Sequence, residues 1–290
     1  MKLALDCRDC LMNKVRSQAS AYISDAALLT TVVGECERIF DEGAAKNEGA
    51  AVTAGRIHRY CYSVVHEKDL YQDIKDRDNR RAVDVLNAVS SRIVTLHDAL
   101  IASVLGNAMD YGVTGHTVAE NFTEFFSEIF SHGLALDDSA DFFRKIDRVV
   151  YFTDNCGEVI FDMRFIEELK KNGSHVTVVV KDGPMLNDVT MREARMCGVD
   201  TVADALFIGG EGQLLGSHPP HFPQEVREAV DRATLIIAKG LANYESLTEY
   251  VLDKPVAYLM MIKCDAVGRH ITETYGRPAK KGDLVAFLGK

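Results

Sequence analysis

The stretch Arg148-Val-Val-Tyr-Phe-Thr-Asp-Asn-Cys-Gly-Glu-Val-Ile-Phe-Asp162 decides how the chain is read. Val149 to Phe152 form a short β-branched and aromatic run, the pattern of a strand buried on both faces. The run stops at Asp154 and Asn155, two side chains that carry oxygen ligands. Gly157 permits a tight turn and Glu158 suits the first turn of a helix; Val159, Phe161, Phe165, Ile166 and Leu169 continue as an apolar stripe until Gly173. The stretch therefore predicts strand, acidic turn, helix. In open α/β sheets ligands bind outside the carboxyl ends of the strands, which is where this turn lies. Asp-Asn-x-Gly is also ordinary turn chemistry, so a functional reading needs support from other turns.

Downstream the same alternation continues. Val176–Val180, a weak Thr201–Val202, Leu235–Ala238, Val256–Met261 and Leu284–Phe287 read as strands separated by helical stretches. This is the pattern of a mainly parallel sheet in a three-layer α/β/α arrangement. Upstream the texture differs: all six prolines lie at or after Pro184, and the earlier half is rich in Ala, Glu, Arg and Leu at helical spacing. Helices are expected over roughly 8–21, 25–42, 48–66, 69–94, 96–110, 117–132 and 137–145, with Gly43, Gly112 and Gly133 as stops. The expected organisation is a helical region over 1–145 packed as one body with an α/β domain over 146–290, with no internal repeat and no long linker.

Composition excludes several classes. A chain of 290 residues with 47% hydrophobic content is long and apolar enough to fold rather than remain disordered. A formal charge of -10 argues against a nucleic-acid-binding surface, although a local basic pocket for a small anion would be hidden in that total. No apolar run reaches membrane length, and Met1-Lys-Leu-Ala-Leu-Asp6 is too polar for a signal peptide. Seven scattered cysteines, an odd number, point to reduced thiols in a cytoplasm.

Three further turns share the position of Asp154. Lys181-Asp-Gly-Pro-Met-Leu-Asn-Asp-Val-Thr190 follows one strand, with Asn187-Asp188 at the start of a helix that ends near Gly198. Lys239-Gly-Leu-Ala-Asn-Tyr-Glu245 follows another, its glycine letting the backbone approach a ligand, and Lys263-Cys264 follows a third. Carboxylates and amides are hard oxygen ligands for Mg or Mn, and lysines neutralise phosphate oxygens. A lone lysine at a strand end is an ordinary solvated charge; recurrence at matching positions favours a site. Asp154 and Asp188 lie 34 residues apart, the length of one strand-helix-strand unit plus a turn, so a right-handed crossover would bring both carboxylates to one cation. In the helical half, Asn107 and Asp110 share a helical face next to Leu100, Ile101 and Val104 and form a candidate second wall.

Taken in order, Gly106-Asn-Ala-Met-Asp-Tyr-Gly112, Asp154-Asn-Cys-Gly-Glu158 with Asp162, Lys181 to Thr190 and Lys239 to Glu245 resemble the metal-dependent damage-control phosphatases, a family long known only as a domain of unknown function. The resemblance spans most of the chain. It implies one divalent metal (Mg, Mn, Co or Ni) held by Asp154, Asn155 and Asp188, and hydrolysis of phosphate monoesters of small metabolites such as sugar phosphates, nucleotides or phosphopantetheine-type compounds. It also implies Lys239 as the phosphate-binding lysine, with Asn107, Asp110, Glu158, Lys181 and Asn243 lining the site. The attacking group would be a metal-bound water or an aspartate that becomes phosphorylated. Asp69-Leu-Tyr-Gln-Asp-Ile-Lys75 looks like a family segment that more often has Asp-Pro, and Gly209 to Phe222, with His218-Pro-Pro-His221, matches poorly and is expected to be a specificity loop. Asp162, one to two turns into its helix, is expected to lie outside the metal's ligands.

Cys7 and Cys10 form a Cys-x-x-Cys pair that, with Cys264, makes a possible second thiolate site; inert thiols are the simpler alternative. Cys156 has no histidine near it in sequence and reads as a bystander. Two other function classes compete. His97-Asp98 with His58 and His66 faintly resembles metal-binding helical phosphohydrolases, and Gly209-Gly-Glu-Gly212 suggests a non-enzymatic metal- or nucleotide-binding sensor, although its spacing fails the dinucleotide fingerprint.

Overall fold

A computed structural model describes residues 1–65, 69–109, 122–212 and 214–289. The chain first winds into α1 (Cys7–Ser20), α2 (Ala26–Ala45), α3 (Ala50–Val65), α4 (Gln72–Val89), α5 (Leu96–Gly106) and α6 (Phe122–His132). Asp25 caps α2 by accepting the Ala27 and Leu28 N–H groups, and Thr95 with Asp98 forms a capping box on α5. The first three helices bury their own apolar stripes against one another through Met12, Val15, Val32, Cys36, Ile39, Phe40, Ile57 and Cys61. Along α5, every residue from Ala99 to Gly106 is buried. That helix is enclosed, not amphipathic.

The strands are β1 (Leu136–Asp137), β2 (Arg148–Phe152), β3 (His175–Val180), β4 (Ala205–Ile208), β5 (Leu235–Lys239), β6 (Val256–Met261) and β7 (Leu284–Leu288). They form one sheet in the order β1-β7-β6-β5-β2-β3-β4. β2 to β6 run parallel, while β7 is antiparallel to β6 and carries β1 parallel to itself. Between the strands lie α7 (Ser139–Phe142), α8 (Glu158–Lys171), α9 (Met191–Cys197), α10 (Val199–Val202), α11 (Gln224–Arg232), α12 (Gly240–Leu247) and α13 (Asp265–Tyr275). Successive strand residues point to opposite faces, so Val149, Tyr151, Val176, Val178, Leu235 and Ile237 share a cluster with Leu100 and Val104 of α5 and Phe165 and Leu169 of α8. Val150, Phe152, Val179, Ile236 and Ala238 share a cluster with Val226 of α11, Tyr244 of α12 and Val267 of α13. With both faces covered, these strands read as unbroken apolar runs, as a parallel sheet requires.

Two expectations fail locally. Thr201–Val202 is not a strand but the end of α10; the left-handed Gly198 (φ 86°) ends α9 and α10 follows at once. The strand starts later, at Ala205, where Asp204 accepts the Val176 N–H at 2.8 Å and its own N–H reaches the Val176 carbonyl. The helix expected over 137–145 is instead β1, the short α7 and a 3-10 turn over Phe143–Lys145, because Leu136 and Asp137 pair with Val285 and Ala286. No helix among the described residues is long and apolar enough to cross a membrane.

Candidate active site

Because β2 and β3 are parallel neighbours, the turns after them emerge side by side. The two turns are stitched together by their backbones: Cys156 N–H donates to Asn187 O at 2.8 Å, Val189 N–H to Asp154 O at 2.9 Å, and Asn155 and Asp188 form an antiparallel bridge. Asp154, Asn155 and Asp188 are all buried. Leu186 holds a left-handed conformation (φ 52°), worth about 1–2 kcal/mol of strain for a residue with a side chain. Its N–H donates to the Tyr62 hydroxyl at 2.7 Å, and it belongs to a small apolar cluster with Ala54, Met185 and Leu215. Packing from α3 thus holds the kink that presents Asn187 and Asp188.

The Asp154 carboxylate is closely confined. Its Oδ2 accepts from Asn107 Nδ2 at 3.0 Å and from Asn155 Nδ2 at 2.7 Å. Asn107, at the end of α5, also donates to Glu158 Oε2 at 2.8 Å and accepts the Met261 N–H at 3.1 Å through Oδ1. Gly240 (φ 74°) lies directly behind: a Cβ built there would stand 1.8 Å from Asp154 Oδ2. Only a glycine leaves room for this carboxylate.

Lys239 reaches into the interior. Its Nζ lies 2.9 Å from Glu158 Oε1 and 3.0 Å from Asp162 Oδ1, and donates to Ser103 O and Oγ at 2.7 Å each. Tyr151 Oη donates to Asp162 Oδ1 at 2.8 Å. Lys239, Glu158 and Asp162 are fully buried. Burial pulls the Lys239 ammonium down, but Asp162 and Glu158 outweigh it and its pKa ends above the ordinary value. One cation serves two carboxylates here, and burial pushes Asp162 up to about 6 against the pull of Lys239. Lys239→Met should lower unfolding stability by about 3–5 kcal/mol, the cost of leaving buried charge uncompensated. Denaturant midpoints of parent and variant check this; an unchanged midpoint would show that the cluster contributes nothing to the fold.

Lys181 faces the turns instead. Its Nζ lies 3.8 Å from Asp188 Oδ2 and donates to Gly216 O. Burial lowers its pKa, while Asp188, Asp154 and Asp182 act in the opposite direction, so this one ammonium feels both site carboxylates. A cleft opens beside it, lined by Thr153, Lys181, Asp182, Gly210, Ser217 and His218. Asn243 supports the wall: its Nδ2 donates to Thr153 O and Lys239 O, and its Oδ1 accepts from Ser217 Oγ at 2.8 Å. The loop expected to set specificity therefore does border the cleft through Gly210, Ser217 and His218. Lys263 is buried at the end of β6.

Asp154, Asn155 and Asp188 offer two carboxylates and an amide, hard oxygen donors that suit a Mg- or Mn-like cation. The Asn155–Asp188 bridge and the space left by Gly240 bring this set together, so the residues fit such an ion. Among the described residues no group of three or more His, Cys, Asp or Glu side chains could hold a metal. His58 instead bonds Gln18 and His97 bonds Asp137, while His66 lies outside the described residues. Cys7 and Cys264 are half-buried and Cys10 is exposed; burial pushes the Cys7 thiol up to about 12 and Cys264 to about 11, away from thiolate. Cys156 is buried, with its thiol pushed far up by desolvation. Asp110 and Gly112 lie outside the described residues.

The residues that sequence reasoning missed sit on α4 and α5. Ser103 accepts from Lys239, Asn79 Oδ1 accepts the Gly157 N–H at 2.6 Å, and Asp78 packs against Gly157. A signal existed: Asp78-Asn79 is another acid-amide pair, but it lies within a helix, where polar residues normally face solvent.

The family model described as the damage-control phosphatase ARMT1-like domain matches residues 3–277. A damage-control phosphatase of Archaeoglobus fulgidus is 36% identical, with 99% of each chain covered. A damage-control phosphatase of Pyrococcus horikoshii is 25% identical over 100% of this chain and 99% of its own. The crystal structure of a DUF89 family protein from Pyrococcus horikoshii superposes with a TM-score of 0.88 at 24% identity, covering 100% of both chains, which speaks for the fold.

Proposed function

Since the chain belongs to the ARMT1-like damage-control phosphatase family, we propose that it is a metal-dependent hydrolase of phosphate monoesters of small metabolites, working at the joined turns after β2 and β3. The observation that carries this reading is the backbone bridge that sets Asn155 against Asp188, with the buried Lys181 beside Asp188 in the wall of the cleft. Asp154, Asn155 and Asp188 would hold a divalent cation, Mg, Mn, Co or Ni. When bound, the cation supplies Lewis-acid stabilisation of a phosphoryl oxygen.

The chain's own residues do the rest. Lys181 offers positive charge next to Asp188, where negative charge on a transferring phosphoryl group would gather. Asn107 clamps Asp154 and Glu158 to each other through one amide, and Lys239 fixes Glu158 and Asp162 from beneath. Lys239 thus offsets site charge through Glu158. The cleft walls, with Thr153, Asp182 and Ser217, would receive the polar remainder of a sugar phosphate, nucleotide or phosphopantetheine-type compound. All seven cysteines are free, which suits a reducing cytoplasm.

Assay of the purified chain with p-nitrophenyl phosphate and a panel of those compounds, across metals, tests the reading. Turnover should require added Mg, Mn, Co or Ni and vanish after chelation and dialysis. Full activity in the chelated protein would sink the metal-dependent mechanism, and absence of turnover with every metal would favour a binding protein.

A further inference from the structure

The turn that carries Asp154 and the turn that carries Asp188 are both linked to one face of α4, the first directly through Asn79 and the second through Glu193 of α9. Lys75 and Asn79 stand four residues apart and so share that face. Asn79 Oδ1 accepts the Gly157 N–H at 2.6 Å, two residues after Asn155. Between them in sequence, Asp78 closes on the same turn: a Cβ on Gly157 would lie 3.4 Å from its Cβ and carbonyl oxygen. Lys75, fully buried, lies 2.9 Å from Asp69 Oδ2 and 3.9 Å from Glu193 Oε2. Glu193 Oε2 in turn accepts the Thr190 N–H at 3.0 Å, two residues after Asp188.

We propose that the Lys75–Asn79 face of α4 is a two-point brace that sets the separation of Asp154 and Asn155 from Asp188, making Lys75 and Asn79 positioning residues for a divalent cation. The proposal rests on reading those three residues as the cation's ligands. The chemistry makes such a brace necessary. A small cation such as Mg accepts oxygen donors only near 2.0–2.1 Å and in near-ideal octahedral directions, so a displacement of about 0.5 Å in either turn costs affinity. Backbone bonds join the turns at Cys156–Asn187 and Val189–Asp154, while Gly157 and Thr190, further along each turn, are anchored elsewhere, by Asn79 and Glu193. One helix, bonding the first turn directly through Asn79 and reaching the second through the Lys75–Glu193 ion pair, ties both anchors to a common frame. Groups that orient ligands in this way typically change metal affinity by about 10–100-fold when removed.

The test is calorimetric titration of Mn2+ into metal-free parent, Asn79→Ala, Asn79→Asp, Lys75→Met and Asp188→Asn chains, with the metal-free melting temperature of each as the measure of fold. Asn79 is the deciding position, because it is half-buried and uncharged and its loss leaves the buried ion pairs intact. Asn79→Ala is expected to melt near the parent without metal, to bind Mn2+ about tenfold or more weakly, and to be rescued by Asn79→Asp, which keeps an acceptor oxygen for Gly157. Lys75→Met, where it folds, should weaken Mn2+ to a similar degree. Parental Mn2+ affinity in Asn79→Ala would overturn the brace while leaving the ligand reading in place, provided Asp188→Asn has lost binding. Parental affinity in Asp188→Asn would overturn the ligand reading itself, and the brace with it.

Discussion

Asp188→Asn is expected to fold, to melt at or above the metal-free parent, and to lose both metal-dependent turnover and the rise in melting temperature on adding metal. The expectation follows from where the two carboxylates stand. Asp154 and Asp188 leave adjacent parallel strands, their turns share backbone hydrogen bonds, and both act on the same lysine. Without a cation two close carboxylates repel, and a divalent ion removes that repulsion while tying the turns together. Ligand binding to the native state alone must then raise its stability. Asparagine keeps the shape but removes a charge, so turnover should fall by a factor of roughly 10² or more, the scale for losing one preorganised electrostatic partner. Asp154→Asn should behave alike. Asp162→Asn should keep most metal binding, because Asp162 bonds Lys239, Ser103 and Tyr151 beneath the site. Thermal melting across a metal titration decides the matter; a parental shift in the Asp188 variant would show that the shared site is wrongly placed.

Gly240→Ala is expected to be nearly as damaging, although alanine carries no functional group. The added carbon would sit 1.8 Å from Asp154 Oδ2 and 2.2 Å from its Cγ, so either the carboxylate or the start of α12 has to move. The left-handed φ adds about 1–2 kcal/mol of its own. A displacement of the carboxylate by an ångström costs on the order of 10²-fold in rate. Rate and metal-induced stabilisation should therefore fall together, whereas an alanine tolerated with parental kinetics would mean that Asp154 does not need its observed position.

How far the site was legible depended on the range of the interactions. The turn after β2 was readable because every cue is local: a β-branched run, Asp-Asn, a glycine at φ 82° and an acid at the first turn of α8. The adjacency of Asp188 followed from the length of one crossover. The three strand-end lysines share one position in the sequence pattern, and the family resemblance singled out Lys239 to bind phosphate; in the structure Lys181 meets Asp188 at the cleft whereas Lys239 meets Glu158, Asp162 and Ser103 inside. Those partners come from α8 and α5, and no periodicity announces which distant acid a lysine will find. The same limit hid Lys75 and Asn79, whose partners lie on two other elements, and hid β1, a two-residue strand that exists only because β7 offers an edge.

The enclosure of α5 bears on where this chain could be cut. Ser103 accepts hydrogen bonds from Lys239 and Asn107 holds Asp154, so the helical half completes a charge network whose acids and lysine belong to the sheet half. A fragment starting at residue 146 would keep the lysine and both carboxylates but lose the carbonyl and hydroxyl that satisfy the lysine. It would also bare the sheet face on which Leu100, Val104 and Leu105 rest. The change of texture at residue 146 therefore marks a boundary between kinds of secondary structure across which the side chains interlock: a cut there would leave the three candidate ligands on one piece and Ser103 and Asn107, which bond Lys239 and Asp154, on the other.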